Sequence, residues 1–131
     1  MPSITIDVCR DYGPAEGRAL LDAVHASLIE AFAIDPANRN MLLRVHAPER
    51  LIGKPGVEPA DRTTNVTIHC AQGRSVDAKR RLYAAIVRRL VALDIPPACV
   101  LVRLIELPVE NFGVRGGQAL CDVELGYALD V

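Results

Sequence analysis

The chemistry of this sequence starts at Pro2. A proline directly after Met1 is a small second residue of the kind from which initiator methionine is removed. Removal leaves a secondary amine held rigidly by its own ring. An α-amino group titrates at about pH 8, and an apolar pocket or a nearby cation lowers that value. Neutral near pH 7, such an amine is a general base and also a nucleophile toward carbonyls. The other reactive residue types are less organised. Cys9, Cys70, Cys99 and Cys121 form no C-x-x-C pair, and none stands at metal-ligand spacing from His25, His46 or His69. They read as reduced thiols, and no metal or cofactor is implied. Tyr12, Tyr83 and Tyr127 have no constellation around them.

Several elements must position Pro2. Residues 3–9 alternate apolar and polar with β-branched side chains and read as a strand that starts right after it. Gly13-Pro14 opens a helix with proline at its first position, and Leu20, Leu21, Val24, Leu28 and Phe32 give the helical period. Asp35-Pro36 ends it, and Met41 to Val45 is a second strand. Residues 47–63, rich in Pro and Gly, form a connecting loop. The plan then repeats. Val66-Thr67-Ile68 restates Ile4-Thr5-Ile6 62 positions later, and Leu82, Ile86 and Leu90 follow Leu20, Val24 and Leu28 at the same offset. Ser75 suits the N-cap of the second helix, Pro96-Pro97 stops it, and Val100 to Leu107 is a fourth strand. Two tandem βαβ units with right-handed crossovers predict an α/β two-layer sandwich: a mainly parallel or mixed four-stranded sheet with two helices on one face. The expected organisation is a single domain over 1–131, with pseudo-repeats at about 2–46 and 64–107 and a C-terminal hairpin or tail over 108–131.

The sheet face without helices is expected to be apolar, from Ile4, Ile6 and the Val100–Leu107 run. Burying it against other subunits predicts a homo-oligomer. The tail holds the glycine-rich turn 111–117, and Asp122 to Leu129 is expected to add a short edge strand to a neighbouring subunit. His25, beside the apolar stripe, reads as a partly buried structural histidine. Lys79, Arg80, Arg81, Arg88 and Arg89 read as a solvated helix face.

Half of the 131 residues are apolar and the net charge is −1, which supports a packed core and gives no case for nucleic acid or a membrane surface. No stretch approaches the roughly 18 apolar residues of a membrane span, and the N-terminus has no basic region leading into an apolar run. The expected location is cytoplasmic.

Pro2, the tandem βαβ plan, Gly73-Arg74-Ser75, Lys79 and Phe112-Gly113-Val114…Gly116-Gly117, in this order, resemble the tautomerase superfamily. Leu21-Asp22-Ala23, His25, Glu30-Ala31-Phe32 and Pro36-Ala37-Asn38 are similar to its double-length branch, which includes malonate semialdehyde decarboxylase. The short subunit of oxalocrotonate tautomerase is one such βαβ unit. The resemblance implies a homotrimer with Pro2 as catalytic base on a pocket floor between subunits. It implies that Arg74 binds a substrate carboxylate and that Phe112 is an aromatic wall. An arginine fork suits a carboxylate, and its charge depresses a neighbouring amine. Arg39 would add a second cation.

Two positions depart from the decarboxylase pattern. Gln72 stands where the first of two arginines is found. Asn38, followed by Arg39, stands where an aspartate activates water, and Asn cannot act as a general base. Proton shuttling needs only Pro2 and a carboxylate anchor. The expected activity is therefore a cofactor-independent keto–enol tautomerase acting on a small 2-oxo acid. The alternatives are a decarboxylase-like lyase or hydratase, in which Asp35 replaces the missing aspartate, and a non-catalytic oligomeric ligand-binding module on the same fold.

Overall fold

The computed structural model describes residues 2–131; removal of Met1 concerns a residue outside that range. Strand β1 (Ser3–Val8) leads through Gly13, the N-cap, into α1 (Pro14–Phe32), with proline in its first turn. Strand β2 (Met41–Val45) completes the first unit. Strand β3 (Thr64–Ala71), α2 (Val76–Val91) and β4 (Val100–Leu107) form the second. The Ser75 side chain accepts from the Ala78 amide and caps α2.

The sheet order is β2-β1-β3-β4. Each outer strand runs parallel to its inner neighbour, as a βαβ crossover requires, and the two inner strands meet antiparallel with Thr5 opposite Thr67. The sheet is thus mixed, and both helices lie on one face. The repeated stripe is the core between the layers. Leu20, Val24 and Leu28 and their counterparts Leu82, Ile86 and Leu90 are at most 1% exposed. Burying each side chain contributes about 1.5–3 kcal/mol. Arg88 and Arg89 of α2 both donate to the Glu30 carboxylate of α1, so two of the basic residues expected on a solvated face tie the helices together. Among the described residues no helix is long and apolar enough to cross a membrane.

One expectation is corrected. Ile4 and Ile6 face the helices, and so do Val66 and Ile68. Strand residues point alternately to opposite faces, so the uncovered face carries the other parity: Thr5, Asp7, Asn65, Thr67 and His69 along its centre. Its apolar residues are on the outer strands, with Leu42 50%, Leu101 48% and Ile105 39% exposed. The face is polar in the middle, and its flanks mix these apolar residues with the exposed Arg44 and Arg103.

Within the single chain the segment 122–129 forms no strand. A two-stranded hairpin, β5 (Gly113–Val114) with β6 (Gln118–Ala119), precedes it. Its turn needs positive φ at Arg115, Gly116 and Gly117, which explains the glycines. The remaining tail turns back onto its own chain, where the Ser75 amide donates to the Val131 carbonyl at 2.8 Å. The start of α2 offers backbone donors that its own helix leaves free, and the tail satisfies one of them.

Candidate active site

The topology brings four chain segments to one end of the sheet. The strands β1 and β2 begin there, and β3 and β4 finish there. Pro2 is buried at this end. It precedes Ser3, which pairs with His69, so the chain enters beside the Cys70–Ala71 end of β3. The Ile4 amide donates to the Asn40 carbonyl at 2.9 Å, which brings the 38–40 loop alongside.

Arg74 stands just past the Gln72-Gly73 turn that ends β3 and is only 5% exposed. Burying a cation without partners is strongly unfavourable. One partner is present: Nη1 donates to the Ala71 carbonyl at 2.8 Å. The guanidinium carbon lies 4.8 Å from the Phe32 ring centre, a cation–π contact at the last residue of α1. The atoms Nε and Nη2 are buried and have no hydrogen-bond partner among the described residues. These two nitrogens form one edge of the guanidinium, the fork that receives a carboxylate through two parallel hydrogen bonds.

Asn38 is half-buried beside this group. Its Nδ2 donates to the Tyr127 hydroxyl at 3.3 Å, and His25 Nε2 donates to its backbone carbonyl at 3.0 Å. A carbonyl only accepts, so Nε2 carries the proton. The buried His25 therefore pins the loop that presents Asn38. Burial pushes the Tyr127 phenol above its ordinary value, against the opposing pull of the Arg74 charge and of the hydrogen bond from Asn38. Asn38 also lines a cleft of about 250 Å³ with Asp35, Val114, Arg115, Leu120, Val123 and Leu125. Asp35 Oδ1 accepts from the Ala37 amide at 2.9 Å, closing the turn that leads into Asn38.

The other candidates stand further out. Arg39 is exposed and donates to Asp22 of α1, which also accepts from Arg18. Gln72 is exposed, and its amide donates to the Leu107 carbonyl at 3.0 Å. Phe112 is half-buried at the foot of the hairpin, where its carbonyl accepts from the Leu120 amide. The ring that meets Arg74 is Phe32. The structure thus groups Pro2, Asn38 and Arg74 at one sheet end, while Arg39, Gln72 and Phe112 lie around it.

Tyr127 is not legible as part of a constellation, yet it accepts from Asn38 and lies close enough to Arg74 to feel its charge. No spacing in the sequence points to it, because the tail reaches the site only by folding back. Tyr12 also has company: the guanidinium carbons of Arg10 and Arg62 lie 5.8 and 5.7 Å from its ring centre.

Comparison with known proteins identifies the family and the fold. No curated protein matches the sequence. A malonate semialdehyde decarboxylase inhibited by 3-bromopropiolate is 30% identical, with 84% of this chain and 86% of that one covered and a TM-score of 0.71. A second malonate semialdehyde decarboxylase shares the fold at 22% identity, TM-score 0.78, with 87% and 92% covered. A wild-type fused 4-OT, a symmetric trimer, does so at 23% identity, TM-score 0.78, with 90% and 95% covered. The family of tautomerase enzymes matches residues 38–115, more than half of the chain and the span that carries both Asn38 and Arg74. This chain belongs to the tautomerase superfamily.

Proposed function

We propose that the protein is a cofactor-independent keto–enol tautomerase for a small 2-oxo carboxylic acid. The observation that carries this reading is the buried Arg74 fork, whose Nε and Nη2 have no partner among the described residues. A buried donor pair left open is unfavourable in the free protein and is satisfied when a carboxylate binds. Arg74 anchors the carboxylate, and Pro2, freed from Met1, is the base. Its neutral nitrogen takes the enol O–H proton as the carbonyl forms. It then delivers that proton to the adjacent carbon, so the substrate is isomerised and the amine is regenerated. An apolar setting and a nearby cation both favour the neutral amine. Asn38 lies beside the anchor as a polar contact for substrate. Arg39 reaches the substrate only by leaving Asp22, and Gln72 and Phe112 are rim contacts.

A homotrimer completes the reading. The related fused 4-OT is trimeric, and the exposed Leu42, Leu101 and Ile105 flanks of the uncovered face offer apolar surface to neighbouring copies.

A decarboxylase-like lyase is the second reading, favoured by 30% identity to a malonate semialdehyde decarboxylase. Asp35 lines the same cleft as Asn38 and is the carboxylate available there to activate water.

Ketonisation of phenylenolpyruvate by Arg74→Ala tests the main reading. Loss of a charge-assisted pair is worth about 1.5–3 kcal/mol, so KM should rise roughly 10- to 100-fold. An unchanged KM would remove Arg74 from the site. Turnover of malonate semialdehyde with no tautomerase activity would favour the second reading.

A further inference from the structure

We propose that Tyr127, carried over Arg74 by the C-terminal strap, is a third hydrogen-bond donor to the substrate carboxylate. This inference rests on the reading of Arg74 as the carboxylate anchor. The guanidinium has the Phe32 ring on one side at 4.8 Å. Residues 127–131 come back over the turn that bears it. The strap is attached at two points beyond Tyr127: Val131 accepts from the Ser75 amide, and the Leu129 backbone packs on Gly73. At Gly73, φ is +134°, and a Cβ would stand 3.1 Å from the Leu129 carbonyl oxygen. The turn approaches the strap as closely as a glycine allows.

The strap delivers a phenol with an unused proton. Asn38 Nδ2 donates to the Tyr127 oxygen, and among the described residues no acceptor takes the Tyr127 hydrogen. The Arg74 fork beside it is equally unused. One carboxylate answers both. Each of its oxygens takes one fork hydrogen and keeps a lone pair for a further donor. The tyrosine hydroxyl remains protonated at neutral pH, because burial raises its pKa. It is a positioning donor: it contacts the carboxylate and takes no part in the transferred proton.

The test compares the wild type, Tyr127→Phe and Arg74→Ala in two assays: binding of the unreactive 3-phenylpropanoate, and ketonisation of phenylenolpyruvate. Tyr127→Phe keeps the ring and its packing. It should weaken 3-phenylpropanoate binding and raise KM about 5- to 50-fold, with kcat within about twofold. Backbone amides of residues 127–131 in the wild type should exchange more slowly with 3-phenylpropanoate bound, a readout independent of any variant. Wild-type affinity and KM in Tyr127→Phe, with binding abolished in Arg74→Ala, would overturn this inference and leave the anchor intact. So would a fall in kcat at unchanged KM, or exchange in the strap that ignores the ligand. Undiminished binding by Arg74→Ala would overturn the anchor itself.

Discussion

Arg74 rests on Phe32: the last residue of α1 and the residue just before the α2 N-cap meet as cation and ring at 4.8 Å. The guanidinium carbon sits over the ring, with Nη1 donating to the Ala71 carbonyl and the Nε–Nη2 edge without a partner among the described residues. A buried cation–π contact is worth about 0.5–2 kcal/mol. Phe32→Leu keeps an apolar side chain but removes the π face. KM for a 2-oxo acid should rise roughly 2- to 20-fold by that energy, with a smaller change in kcat. Steady-state kinetics checks this, and an unaltered KM would mean that other contacts orient Arg74.

Gly73 is the point where the strap meets the turn. Alanine there must adopt a positive φ and push on the Leu129 backbone. Gly73→Ala should cost about 1–3 kcal/mol of stability. Hydrogen exchange should quicken in residues 127–131 and stay unchanged in the Leu82–Leu90 stretch of α2. Denaturant unfolding and exchange mapped by mass spectrometry measure both effects.

On the uncovered sheet face, Asp7 accepts from Arg44 Nε at 2.8 Å and His46 Nε2 at 2.7 Å. Burial pushes its carboxyl up, but the hydrogen bonds from Arg44 and His46 outweigh it and hold the group below its ordinary 3.8. With the folded value depressed, the contribution to stability is complete above the ordinary value. It is lost as pH falls through the lowered one. Asp7→Asn should therefore melt below the wild type at pH 7, and the gap should close on acidification past 3.8. A gap that stays constant across that range would mean that shape rather than charge accounts for the loss.

Leu20 and Leu82 occupy equivalent positions in the two units, and both are buried. Leu→Ala at a filled core site costs about 2–5 kcal/mol. Either variant should lose that much in urea or guanidinium unfolding. Loss at one position only would show that the layers are packed unequally.

The repeat was legible because it is local and written twice. The 62-residue offset, the Gly13-Pro14 and Ser75 helix starts and the two apolar stripes each depend on neighbours along the chain. Alternation in β1 shows that its two faces differ, but not which one the helices cover; Ile4 and Ile6 went to the covered face. Phe32 fits the core stripe by spacing, and nothing in that spacing reveals that its ring also carries Arg74. Tyr127 reaches the site through a tail without period or cap, so its place is set by the Ser75–Val131 and Gly73–Leu129 contacts alone.

The central claim is that Pro2 moves the proton. Its most direct test is ketonisation of phenylenolpyruvate, followed by absorbance, with protein whose intact mass shows Met1 removed, beside Pro2→Ala. Loss of a general base typically costs about 10²- to 10⁴-fold. The account predicts a wild-type rate well above background and a fall of that order in kcat/KM for the variant. Equal rates in the two proteins would contradict it.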